Sequence, residues 1–238
     1  MLILSASIVV AYWLFAITYP ASIDAGQRTC HSLTITIEDS DERQYVGEEE
    51  LTKLIRTNSL YPVARPIVSI STDAIERVIR SHDMVRTAEC YLTTDNGVRI
   101  RLTQRVPLVR VVTANESYFV DTDRKIMPVR ASVTTPVITA TGNIGTRMAQ
   151  EELSDFVEWL LSERYWRERI ASIEVRNPKL VLLHQKSGQA CIVLGEWAQA
   201  PAKLRKLREW YKKAPEGVDI SVYKEVDIRY NHQVVGRK

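Results

Sequence analysis

The sequence predicts an α+β fold tethered to a membrane: an N-terminal transmembrane helix, a small β-α-α-β-β domain, and a second β-rich domain with flanking helices. Three observations predict it. Met1 to Tyr19 carries no charged side chain. Strand and helix signals follow one another in β-α-α-β-β order between residues 29 and 104. Residues 105–238 are dominated by short strand signals, with amphipathic helical patterns between them. The expected divisions are a spanning helix at 1–20, a linker at 21–28, and domains at 29–104 and 105–238.

The N-terminal run MLILSASIVVAYWLFAITY is long enough, at about 1.5 Å per helical residue, to cross a hydrocarbon core of about 30 Å. Tyr12, Trp13 and Tyr19 are aromatic anchors, and Tyr19 sits where an interfacial belt is expected. A buried globular helix of this length would carry a polar stripe, and this one has none. A cleaved signal peptide is the other alternative, with Ala21-Ser22 as small residues after the run. Against it stand the missing basic flank and a run longer than the usual h-region.

The remainder is well suited to folding, because 45% hydrophobic residues in a 238-residue chain can bury real cores. With 32 basic against 29 acidic residues the formal charge is only +3. That balance lacks the basic excess that drives nucleic-acid binding, and leaves open a weak attraction to anionic lipid heads. Cys30, Cys90 and Cys191 share no C-x-x-C spacing, and their odd number argues against a disulfide framework. Cys90 and Cys191 read as small apolar strand residues inside cores.

Leu33, Ile35 and Ile37 alternate with Thr34, Thr36 and Glu38 within a half-buried strand spanning Gln27 to Asp41. After Gly47, the glutamates 48–50 read as a helix start complementing the dipole rather than a metal cluster, and Leu51, Leu54 and Ile55 form the apolar face. Pro62 and Pro66 break the chain before Asp73-Ala-Ile-Glu76, an acidic capping box that opens a second helix with Ile75, Val78 and Ile79 inward. Thr87–Thr94, the turn Asp95-Asn96-Gly97 and Val98–Leu102 predict a hairpin. Two helices on one face of a three-stranded sheet would close this small core.

Leu108–Val112 and Tyr118–Val120 predict a second hairpin. Asp121-Thr-Asp123 after it reads as a β-turn rather than a metal site. Leu153, Phe156, Val157, Leu160 and Leu161 fall on one helix face. Strands are expected at Ser172–Arg176, Leu180–His184 and Ala190–Leu194, with Ser187-Gly188 as the turn between the last two. Lys203–Lys213 is a basic amphipathic helix, six cations against one glutamate, read as a solvated face opposite Leu204, Leu207 and Tyr211. Contact of that basic face with membrane or nucleic acid is the alternative.

Catalytic patterns are missing from the sequence. His31, His82, His184 and His232 occur without a second ligand at i+4 or i+2 spacing, and there is no G-x-S-x-G, Walker loop or G-x-G-x-x-G. The expectation is a non-enzymatic protein with no catalytic residue, metal, cofactor or small-molecule substrate. Near the end, Val226-Asp-Ile228-Arg-Tyr230 alternates apolar with charged side chains, and Val234-Val235 continues the apolar content. A terminal strand of this kind reads as a sheet edge, whose free N–H and C=O groups a partner segment can complete; the alternative is that it merely closes the second sheet.

Arg105-Val-Pro107-Leu-Val, Tyr118-Phe-Val-Asp121, Leu194-Gly195 followed by Lys203-Leu204, and Val226-Asp-Ile-Arg-Tyr230 occur in this order. Together they resemble the FtsQ/DivIB family of bacterial cell-division proteins over nearly the whole chain, with residues 29–104 resembling a POTRA domain. The resemblance implies a single-pass protein of the cytoplasmic (inner) membrane, most of it periplasmic or extracytoplasmic at the division septum. It implies a scaffold whose last strand binds the FtsB/DivIC subunit, in complex with FtsL. Carried onto this chain, the partner-binding strand is Val226, Asp227, Ile228, Arg229 and Tyr230, continuing through Asn231, His232, Gln233, Val234 and Val235, with Arg229 and Tyr230 first among the contacts. Where the family carries a glycine after its Y-x-x-D turn, Arg124-Lys125 stands here. A POTRA-containing transport or assembly component and a membrane-tethered envelope hydrolase remain as alternatives. The former would need repeats or regular strands of about ten residues that this sequence lacks.

Overall fold

A computed structural model describes residues 28–130, 135–186, 190–213, 223–230 and 233–238. The expected spanning helix at 1–20 lies outside the described residues. Among the described residues no helix is long and apolar enough to cross a membrane. The chain divides into two units, with the division between Gln104 and Arg105.

The first unit contains β1 (Leu33–Ile37), α1 (Glu48–Thr57), α2 (Thr72–Arg80), β2 (Val85–Leu92) and β3 (Val98–Gln104). The sheet order is β1-β3-β2, with β1 parallel and β2 antiparallel to β3. A parallel neighbour demands a long crossover, and α1 and α2 supply it. Both helices present aliphatic side chains, Leu51 and Ile55 from α1, Ile75 and Ile79 from α2, and these are buried with Ile35, Ala88, Cys90, Ile100 and Leu102 of the sheet. The opposite face carries Thr34, Thr36, Glu89 and Arg101, all exposed.

Two local details differ from the sequence reading. The cap of α2 is Ser71, whose Oγ accepts from the Ala74 amide at 3.2 Å, and not Asp73. Glu76 serves the sheet instead, accepting from the Cys90 amide at 3.3 Å while pairing with Arg80. Strand β2 begins and ends two residues earlier than Thr87–Thr94, because Thr93 belongs to the turn. Its Oγ1 accepts from the Gly97 amide at 3.0 Å, and Asn96 takes φ +59°, which asparagine tolerates.

Gln104, almost fully buried, fixes the loop between β1 and α1. Its Oε1 accepts from the amides of Tyr45 (2.7 Å) and Val46 (3.2 Å), and its Nε2 donates to Arg43 O (2.7 Å) and Asp39 Oδ1 (3.2 Å). Truncating it strands buried amides without acceptors. Gln104→Ala is therefore expected to cost about 2–3 kcal/mol, read as a lowered unfolding midpoint of this unit by far-UV circular dichroism.

In the second unit the described residues form one nine-stranded sheet, in the order β12-β11-β10-β9-β8-β7-β4-β5-β6. Its strands are β4 (Pro107–Val112), β5 (Ser117–Asp121), β6 (Ile126–Pro128), β7 (Ile138–Gly142), β8 (Ile170–Asn177), β9 (Leu180–Gln185), β10 (Cys191–Gly195), β11 (Glu225–Asp227) and β12 (Val235–Arg237). The predicted hairpin β4–β5 forms, and so do the antiparallel pairs β8–β9 and β9–β10. Strands β4, β7 and β8 run parallel to one another in the middle of the sheet.

Helical residues Thr146–Met148, a π turn at Ala149–Leu153, and α3 (Ser154–Ser162) form one continuous element that crosses from β7 towards β8. The short α4 (Arg164–Arg167) follows, and α5 (Ala200–Lys213) connects β10 to the last strands. Leu153, Phe156, Val157, Leu160, Trp166, Leu204 and Leu207 pack with Val109, Val111, Ala140, Ile173, Leu183 and Ile192 in a single core. Leu161, expected inside, is only partly buried, and Cys191 is half-exposed rather than a core residue.

At the β5–β6 turn, Asp121 acts as a local acceptor rather than a metal ligand. Its Oδ1 accepts from the amides of Asp123 (2.9 Å) and Lys125 (2.7 Å), while Oδ2 meets Arg105 Nη1 at 2.9 Å. Arg124 adopts φ +65° and so takes the left-handed conformation that glycine adopts freely. What anchors it there is its side chain, which reaches Asp155 (2.8 Å) and Glu158 (2.7 Å) on α3.

Candidate functional site

The expected docking strand does not lie at the edge. Strand β11 is hydrogen-bonded on both sides, parallel to β10 (Val226 opposite Ile192) and antiparallel to β12 (Val226 opposite Gly236). Among the described residues the edge belongs to β12, which pairs with β11 alone. Val226, Asp227 and Ile228 are accordingly buried, and the Ile228 amide continues the pairing by donating to Val193 O at 3.0 Å.

The chain does not run as one strand from Val226 to Val235, and Asp227 is the reason. Its Oδ1 accepts from the Arg229 amide at 3.1 Å, an Asx-type turn at the end of β11. On α5, Lys206 Nζ donates to Tyr230 O and to Gln233 O (3.2 Å), holding both ends of the loop that leads back to β12. Asn231 and His232 lie outside the described residues. Gln233 is exposed, and Val234 and Val235 are half-buried.

Arg229, one of the two expected contacts, works within the fold. Its Nε lies 3.0 Å from Asp227 Oδ1 and its Nη2 2.6 Å from Oδ2. Burial raises the Asp227 carboxyl, but the hydrogen bonds and charge of Arg229 outweigh it, holding the group below the usual carboxylate range. The aliphatic stem of Arg229 crosses Gly195, which takes φ +78° and where an added Cβ would stand 2.7 Å from Arg229 Cγ. Tyr230 is the freer contact, with half of its surface exposed.

Three further residues position this edge, and periodicity gave no signal for them. Lys203 Nζ donates to Leu194 O (3.1 Å) and Glu196 O (3.0 Å), closing the end of β10. Burial lowers the pKa of both Lys203 and Lys206. Two of the six cations assigned to a solvated face therefore bind carbonyls. Gly236 lets β12 pass beneath Tyr223, since a Cβ there would meet the ring at 2.6 Å.

Two of the four sequence clusters thus become parts of one arrangement, with Gly195 beneath Arg229, Lys203 at the end of β10, and Asp227 turning the chain towards an open edge, while the other two meet through the Arg105–Asp121 ion pair beside β4 and β5. Residues 106–237 match the family described as FtsQ/DivIB, C-terminal related, and residues 28–103 match a POTRA-like domain. The chain belongs to the FtsQ/DivIB family. No curated protein matches the sequence. Family membership makes this a division-associated protein of a generally non-enzymatic, membrane-linked scaffold family that works through protein–protein contacts. The mixed α+β architecture, a POTRA-like domain followed by a large β-sheet unit, agrees with it.

Proposed function

We propose that this FtsQ/DivIB protein is a septal scaffold, anchored through residues 1–20, that captures the FtsB/DivIC–FtsL type of complex by strand addition. The receiving strand is β12, with Tyr230 as the principal side-chain contact. The observation that supports the proposal is the position of β12, the last strand at one end of a nine-stranded sheet, paired on one side only among the described residues. Its backbone groups on the other side can pair with an incoming segment. Tyrosine suits a hot spot, offering a large ring and a hydroxyl for hydrogen bonding.

Residues 1–20 supply an apolar stretch of spanning length, which would hold the docking edge outside the membrane. The test is co-purification of the full-length protein from membranes with its FtsB/FtsL-type partners. Truncation after Gln233 removes β12 and is expected to abolish capture, and Tyr230→Ala is expected to weaken it about tenfold or more. Full capture by the truncated chain, with its tryptophan fluorescence still native, sinks the proposal.

A further inference from the structure

A second surface of the C-terminal unit carries chemistry that the edge does not use. A groove of about 340 Å³ is lined by Glu152, Asp155, Phe156 and Trp159 of the π turn and α3, by Trp197 of the β10–α5 connection, and by Pro201 in the first turn of α5. The Phe156 ring lies 6.0 Å from Trp159, roughly stacked, and 5.4 Å from Trp197, tilted. The Trp197 indole N–H is buried and finds no acceptor among the described residues.

The charged side chains that line the groove, Glu152 and Asp155, are both carboxylates, and further charges lie around them. Arg124 is shared by Asp155 and Glu158, and Arg147 pairs with Glu151 while also lying in the field of Glu152. Four carboxylates therefore meet two guanidiniums, and Glu196 and Lys203 nearby offset each other. Elsewhere this chain covers partly buried rings with its own arginines: Arg56 lies 3.5 Å from the centre of the Tyr61 ring and Arg169 3.7 Å from that of Tyr165. Among the described residues no arginine covers Trp159 or Trp197, although the groove they line also holds the carboxylates of Glu152 and Asp155.

We propose that this groove receives an arginine, flanked by apolar residues, from a basic segment of a second polypeptide. A guanidinium can stack on an indole while its fork meets a carboxylate, and lysine lacks the plane to do both. The apolar lining of Ala198, Ala200 and Pro201 suits aliphatic neighbours on the incoming segment. None of the lining residues belongs to β11 or β12, so this site stands or falls separately from the docking edge.

The experiment uses the full-length protein in lipid nanodiscs, with the indole N–H signals of Trp159 and Trp197 followed by NMR. The probes are acetyl-Leu-Arg-Leu-amide, its citrulline counterpart, and choline. The arginine peptide is expected to shift both indole signals and to bind about tenfold more tightly than the neutral citrulline peptide. Trp159→Ala should abolish binding. Should that variant unfold, Glu152→Gln, altering an exposed side chain, decides instead, with an expected loss of about threefold. Equal binding of the citrulline peptide, unmoved indole signals, or choline binding as tightly as the peptide each overturns the proposal, the last by making the groove a small-cation site.

Discussion

Arg229→Ala is expected to destabilise the C-terminal unit by about 3–4 kcal/mol, because it leaves a carboxylate buried without its countercharge. The Asp227 side chain is 1% exposed, whereas that of Arg229 is 38% exposed. Removing the arginine strands a charge that water cannot reach, and removing the aspartate frees one that water can. Asp227→Ala should therefore cost less than Arg229→Ala, and the double variant should recover part of the loss. The measurement is urea unfolding followed by tryptophan fluorescence, which reports this unit because Trp159, Trp166, Trp197 and Trp210 all lie within it. Equal costs for the two single variants would show that the pair is effectively solvated.

The same pair makes a pH prediction with a definite sign. The folded-state pKa of Asp227 lies below its ordinary value, so its contribution is complete above about pH 4 and is lost as pH falls through the depressed value. Arg229→Ala should remove that part of the acid sensitivity. An unchanged acid limb in the variant counts against the assignment.

Gly142→Ala is expected to have an effect of similar size for a different reason. Gly142 ends β7 with φ +110°, and a Cβ there would stand 2.2 Å from Val175 O on the neighbouring strand. Relief requires either a new backbone conformation or separation of β7 from β8, which breaks the 2.7 Å bond from the Asn143 amide to Val175 O. Strain and lost hydrogen bonding together amount to roughly 3 kcal/mol or more. Gly145 provides the control, since it has an ordinary φ and nothing within 4 Å of an added Cβ. Gly145→Ala should change stability by no more than about 1 kcal/mol. A Gly142→Ala protein with a near-native midpoint would mean that the β7–β8 boundary yields easily.

The amino-acid sequence determined the class of most elements by itself, because burial imposes a period that propensity and turn residues reinforce; β6, β7 and α4, too short or too weakly patterned, gave no such signal. Leu33-Thr-Ile-Thr-Ile37 alternates as a half-buried strand must, and Phe156, Val157 and Leu160 recur as one helix face must. Short-range chemistry was readable in the same way at Asp95-Asn-Gly97 and Asp121-Thr-Asp123, where the partners lie within a few residues. The ordered motifs also carried the family. Only the tertiary structure decided which strands are neighbours, since the parallel pairing of β4, β7 and β8 joins segments far apart in the chain. It also decided which side chains are spent inside the fold. Arg229 looked like a contact and Lys203 like a solvated cation, yet an alternating pattern records only which face a residue occupies. Whether that face meets solvent, a carboxylate or a carbonyl depends on the elements folded against it. For that reason the edge fell on β12, beyond the strand that the sequence marked most clearly.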